Sequence, residues 1–202
     1  QQRGTLGYKI GTLYNLMMDS VRLNKEGFNP IKANLEKIKA IKDRKEYQRV
    51  TAELDRKGES TMMYAWGVGA DQRNAGNNIV AISQAGLGLG TPEYYLNEDP
   101  QSKAVVGAYK TYMTKLFQLV GYDAETAAKK VEAVMEIENR IAKVSYDQVK
   151  SRDINANYHK LTYAELIEQY PGIDWPTVFW VSGFPVFNEV DLGQPEPIHE
   201  VE

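Results

Sequence analysis

Cysteine is absent from this chain of 202 residues, and histidine occurs twice, at His159 and His199. The first absence excludes disulfide frameworks, thiolate metal centres and cysteine nucleophiles. The second bears on metal hydrolysis, which needs ligands that fix a cation and a base that activates its water. A helix carrying His-Glu-x-x-His supplies both on one face, and the interior of the chain holds no such pattern. The terminal His199-Glu200-Val201-Glu202 has the opening dipeptide only, in a proline-rich setting with no helical periodicity, and reads as coincidence. No apolar run has the length of a membrane span, and the residues from Gln1 do not read as a secretory leader. Membrane insertion by this segment is therefore not expected, while a mature secreted chain would look the same.

Charge of one sign is also scarce. Lysine and arginine total 24 against 27 acids, a formal net charge of -3, with the two signs interspersed. That excludes an acidic tail or a basic nucleic-acid surface. Ser145, Ser151 and Ser182 sit in no nucleophile elbow, so no serine triad is fixed.

What is present is helical periodicity. Leu6, Ile10, Leu13, Met17 and Val21 recur at helical spacing, predicting an amphipathic helix to about Asn24. Asn29-Pro30 offers a cap and first-turn proline for a second helix bearing Ile31, Leu35, Ile38 and Ile41. Tyr47, Val50, Thr51 and Leu54 predict a third, ending near Gly58. Residues 65–69 and 79–82 read as short strands of a small hairpin, with the polar stretch 71–78 as its connection. Asp71, Asn77 and Asn78 have oxygens suited to a cation, but without the spacing of a calcium loop, and turn or edge-strand roles are expected.

Asp99-Pro100 opens a long helix with two apolar rows. One is Ala104, Ala108, Tyr112, Leu116 and Val120; the other is Val105, Tyr109, Met113 and Phe117. Both are expected to pack against protein. Gly121 ends this helix and Asp123 caps the next, whose inner face holds Ala127, Val131, Val134, Met135, Ile141 and Ala142. The short connection predicts an antiparallel pair. Glu138 lies within that apolar face, so its carboxylate needs a partner; Arg152 or the Tyr158 hydroxyl is the expected one. Thr162 and Glu165 form a capping box, Asp174-Trp175-Pro176 starts another short helix, and Pro185, Pro195 and Pro197 leave the remainder extended or turned. The fold class expected is mainly α, with two long antiparallel helices and a small embedded β element.

Between hairpin and long helices stands Gln84-Ala-Gly-Leu-Gly-Leu-Gly-Thr-Pro-Glu-Tyr-Tyr95. It lacks the Lys-Ser/Thr or Gly-x-Gly-x-x-Gly of a phosphate cradle and reads as a tightly packed corner. Gln84, Gly86, Leu87, Gly88, Leu89, Tyr94 and Tyr95 resemble the corresponding stretch in the N-terminal domain of neprilysin-like zinc metallopeptidases; Ser83 stands where that family has an acid and Gly90 where it has proline. The likeness continues through residues 10–20, 66–74, Tyr109, Tyr112, Met113, 134–142, Arg152, Tyr158, Leu161, Thr162, Leu166 and Asp174-Trp175, which is nearly the whole chain.

The resemblance implies that residues 1–202 are a fragment of the helical, substrate-access domain of a bacterial zinc endopeptidase. The zinc, its His-Glu-x-x-His helix and the catalytic domain would belong to a later part of the same polypeptide, and peptides would be the substrates. It further implies an extracytoplasmic, periplasmic or secreted location, with membrane attachment of the parent left open. No catalytic, cofactor-binding or metal-ligating residue is assigned within the chain, and the isolated chain is expected to be inactive. The alternative is an independent helical peptide- or carbohydrate-binding module, for which exposed Trp175 and Trp180 would speak.

Overall fold

The computed structural model describes residues 2–59, 62–184 and 186–202. The chain divides into two compact units, residues 1–40 and 41–202. In the first, α1 (Leu6–Met18) starts where the Thr5 hydroxyl accepts the Tyr8 amide, and α2 (Ser20–Glu26) starts where Asp19 accepts the Arg22 amide. The single helix expected to Asn24 is thus broken at Asp19, whose side chain caps a new helix and whose backbone leaves helical geometry. A 3-10 turn at Asn29–Ile31 leads into α3 (Lys32–Lys39), and Ile41 falls outside it. None of the residues in these helices is buried.

The second unit opens with α4 (Arg44–Arg56), capped by Asp43 and closed at Gly58, where φ is +69°. A hairpin follows: β1 (Tyr64–Asp71) and β2 (Asn74–Gln84) pair antiparallel, with Trp66 opposite Ile82 and Val68 opposite Val80. The strands are longer than expected; most of the polar stretch 71–78 belongs to β2, leaving only Gln72 and Arg73 as the turn. After the short α5 (Glu93–Leu96) come α6 (Pro100–Leu119) and α7 (Ala124–Val144), started by Asp99 and Asp123 through side-chain bonds to the first-turn amides. Lys110 of α6 reaches Glu132 of α7 at 3.0 Å and Tyr109 reaches Glu138, the pairing of two antiparallel helices.

Only one row of α6 packs as expected: Met113 joins Val131 and Met135 in a small core edged by Tyr109 and Phe117. Ala104, Ala108, Tyr112 and Leu116 are exposed, because α7 covers one side of the helix and this row faces away from it.

The C-terminal part is more ordered than its prolines suggest. β3 (Lys160–Thr162) leads into α8 (Tyr163–Gln169), with the Thr162–Glu165 capping box formed in both directions. Then come α9 (Trp175–Ser182), β4 (Glu189–Leu192) and α10 (Pro195–Val201). The reading of this stretch as irregular is corrected. Pro195 and Pro197 fall in the first turn of α10, where a missing N–H costs no helical bond. Pro185 lies outside the described residues. The sheet runs β1-β2-β4-β3, with β4 parallel to β2 and antiparallel to β3.

Strand pairing puts Val80, Ile82, Val190 and Leu192 on one face, and α8, α9 and α10 close over it with Leu166, Trp175, Val178 and Ile198. Trp175 is 0% exposed and stacks on Phe179 at 5.7 Å. Gln48 ties α4 to the start of α9, donating to the Gly172 carbonyl and accepting from the Asp174 amide. Among the described residues no helix is long and apolar enough to cross a membrane.

Candidate functional site

The glycine corner leaves the end of β2 and crosses the inner face of α7. Gly86 and Gly90 take φ of +87° and +78°, a backbone region in which side chains are strained. Gly88 has no such angle; its constraint is contact. A methyl group there would overlap the Tyr109 hydroxyl and stand 2.7 Å from Tyr109 Cζ. Of the three alternating glycines, two serve the path of the chain and one makes room for a neighbour.

That neighbour belongs to a network centred on Glu138, which is 8% exposed. Glu138 Oε1 accepts the Gly88 amide at 3.3 Å and the Tyr109 hydroxyl at 3.0 Å, while Oε2 accepts the Tyr95 hydroxyl at 2.8 Å. The Tyr95 oxygen in turn accepts the Leu89 amide at 2.9 Å. Two consecutive corner amides are therefore bonded to α7, one directly and one through a phenol. Burial raises both tyrosines, helped by the adjacent carboxylate, Tyr109 to about 12 and Tyr95 further. Both phenols stay protonated and donating at neutral pH. Glu138 has its lone pairs committed to fixed donors, which is the chemistry of an anchor.

The expected partner of Glu138 was Arg152 or Tyr158, and the structure places both elsewhere. Antiparallel pairing brings Tyr109 down α6 to Glu138, and the corner lies over the same spot, so every donor comes from residues 88–109. Tyr158 instead donates to Asp71 at 2.9 Å. Asp71, 2% exposed, also accepts from the Arg73 amide and from Lys160. The Arg73 amide bond is the main reason its carboxyl is held below the ordinary range. This carboxylate closes the hairpin turn against β3, which agrees with the turn role expected for it. Arg152 lines a cavity beside Gly90, Thr91 and Tyr146.

Gln84, the first residue of the corner, was singled out only by its place in the motif. Its carboxamide accepts the Tyr146 amide at 2.7 Å and donates to the Tyr146 carbonyl at 2.9 Å, fastening the end of β2 to the exit of α7. A glutamine at a strand end beside a glycine run is the only sequence signal for it.

The remaining donors do not fit a zinc ion. His159 directs Nδ1 at the Leu192 carbonyl, 3.0 Å away, and His199 stacks on Tyr170 with Nδ1 3.2 Å from Glu202. Among the described residues no group of three or more His, Cys, Asp or Glu side chains is placed to hold a metal. The two tryptophans divide: Trp175 is core, whereas Trp180 is 80% exposed.

The chain as a whole has counterparts among known proteins. The model of peptidase family M13, N-terminal part, matches residues 1–202. The chain belongs to that family of neprilysin-like metallopeptidases. The chain is 28% identical over 196 residues to endothelin-converting enzyme 1 of Bos taurus, covering 94% of this chain and 25% of that protein. It is 34% identical over 132 residues to the human protein of the same name, covering 65% of this chain and 16% of that one. The zinc metalloprotease Zmp1 of Mycobacterium tuberculosis, solved with an inhibitor, superposes with a TM-score of 0.87 at 27% identity, over 98% of this chain and 30% of that one. PepO of Lactobacillus rhamnosis HN001 shares the fold, with a TM-score of 0.76 at 17% identity over 90% of this chain. The M13 chain described here thus spans a third or less of the length of these relatives.

Proposed function

We propose that residues 1–202 form the helical, substrate-access part of a zinc-dependent M13 endopeptidase, and that the groups performing hydrolysis belong to polypeptide outside this chain. The reading rests on one observation: the family match runs through every residue, while the chain spans 30% of Zmp1.

In this reading the segment works by shape. The Glu138 network holds the corner rigid against α6 and α7, so that a wall of fixed position can limit access to peptides. Its partner is the catalytic portion of the same polypeptide, and zinc is the cofactor of that portion. A bacterial, extracytoplasmic setting for the whole polypeptide is part of the same proposal.

The test is direct. The 202-residue chain is titrated with zinc and offered a fluorogenic peptide, alone and then within a longer polypeptide that supplies the remainder. Turnover only in the longer form is expected. Zinc-stoichiometric turnover by the 202-residue chain, abolished by replacing His159 or His199, would overturn the reading.

A further inference from the structure

A cavity of about 260 Å³ lies between the glycine corner and the segment that leaves α7. Gly90 and Thr91 line it from the corner, and Tyr146, Gln148, Ser151 and Arg152 line it from that segment. The volume is below the range of about 300–1,000 Å³ for drug-sized ligands, so the space suits one small group.

The lining carries a single charge. Arg152 is exposed, and its guanidinium has no partner among the described residues. Lys150, two positions earlier, is already engaged: its ammonium sits 3.5 Å from the centre of the Tyr146 ring and 3.8 Å from Glu196. Among the described residues no acid lines the cavity. Glu93 and Glu196 stand outside the lining, where Glu93 accepts the Gln148 amide at 3.1 Å and Glu196 accepts the Tyr146 hydroxyl at 2.7 Å.

The corner adds a donor of its own. Thr91 Oγ1 is buried with no hydrogen-bond partner. A buried hydroxyl left in that state costs free energy that an acceptor would recover. Arg152 presents N–H groups in a rigid fork that matches the paired oxygens of a carboxylate or phosphate. An unneutralised cation from one segment and an unsatisfied hydroxyl from the other call for the same ligand chemistry.

We infer that this cavity binds a small oxyanion, a carboxylate or a phosphate, with Arg152 as its counter-ion and Thr91 as a further donor. The ligand joins the corner to the exit of α7, so its binding stabilises the second unit. The site is separate from the Glu138 network and does not depend on the peptidase reading.

Sodium phosphate, sodium acetate and a tripeptide in free-acid and amidated forms are titrated into the 202-residue chain, with chloride holding the ionic strength constant. Binding is read from the NMR shifts of the Gly90, Thr91 and 146–152 amides and from the thermal midpoint. At least one oxyanion should shift those amides saturably and raise the midpoint. A response to phosphate alone assigns a phosphate site, and a response to acetate and the free-acid peptide assigns a carboxylate site. Arg152→Gln should weaken binding about ten- to hundredfold, the size of a lost charge-assisted contact. Its side chain is exposed, so its midpoint in chloride should match the parent chain and a folding defect is separable. Thr91→Val should also weaken binding, yet be no less stable than the parent in chloride, because its hydroxyl has no bond to lose. Absence of a saturable shift with every oxyanion, or shifts undiminished in Arg152→Gln, overturns the proposal. So does an equal response to the amidated peptide, which would show that the cavity does not read the charge.

Discussion

Leu6, Ile10, Leu13 and Met17 share one face of α1 at helical spacing, as Ala127, Val131, Met135 and Ile141 share one face of α7, with Glu138 between the last two. On α7 all four are buried; on α1 none is. Regular spacing identifies the apolar face of a helix and says nothing of what covers it. The two units differ in what closes a core. Residues 41–202 have a sheet face for Trp175 and its neighbours to cover, and a carboxylate that bonds a loop to a helix pair. Residues 1–40 have short helices joined by caps and a 3-10 turn, each satisfied locally. Helices of this length are marginal without packing.

Substitutions can break or sharpen this contrast. The largest effect is expected at Trp175: replacing it with alanine empties the centre of the sheet core and should cost about 3–5 kcal/mol in denaturant unfolding. Gly88→Val comes next. It forces Tyr109 off Glu138 as well as overpacking the corner, so about 1–3 kcal/mol is expected, and in a longer M13 polypeptide a drop in peptide turnover with zinc content unchanged. Glu138→Ala leaves Tyr95, Tyr109 and the Gly88 amide without their acceptor. A loss of about 1–3 kcal/mol should follow, and a stability equal to the parent's would refute the anchor role.

A smaller effect is expected on the alkaline side. The Tyr109 phenol is raised from 10.0 to about 12, so its protonated form is favoured by folding. The stability this contributes is complete below pH 10.0 and is lost as pH rises toward about 12. Tyr109→Phe should flatten that part of the stability profile. The smallest effect belongs to residues 1–40: Met17→Ser should change unfolding by no more than about 0.5 kcal/mol, because the side chain is already in water.

Much of the second unit was readable from local chemistry. Asp99, Asp123, Thr162 and Asp174 announce their helices because a cap and its target amides lie within three residues of one another. The glycine corner was readable as a packed turn, and Glu138 as a buried carboxylate needing donors. Its donors were misplaced because they depend on how α6 lies against α7, which no local pattern encodes. β3 and β4 were missed for a similar reason. Lys160–Thr162 and Glu189–Leu192 are too short to show alternation, and they are strands only because Val190 finds Val80 and Leu161 beside it. α10 was hidden by two prolines whose meaning depends on where the helix begins.

The central claim is that burial, rather than periodicity, divides this chain at residue 40. Native-state hydrogen exchange on the 202-residue chain tests it residue by residue. Amides of α7, β2 and α9 should exchange only through the global unfolding of residues 41–202, while those of α1 to α3 should exchange within a small factor of an unstructured peptide. Protection in Leu6–Met18 equal to that in Ala124–Val144 would contradict the account.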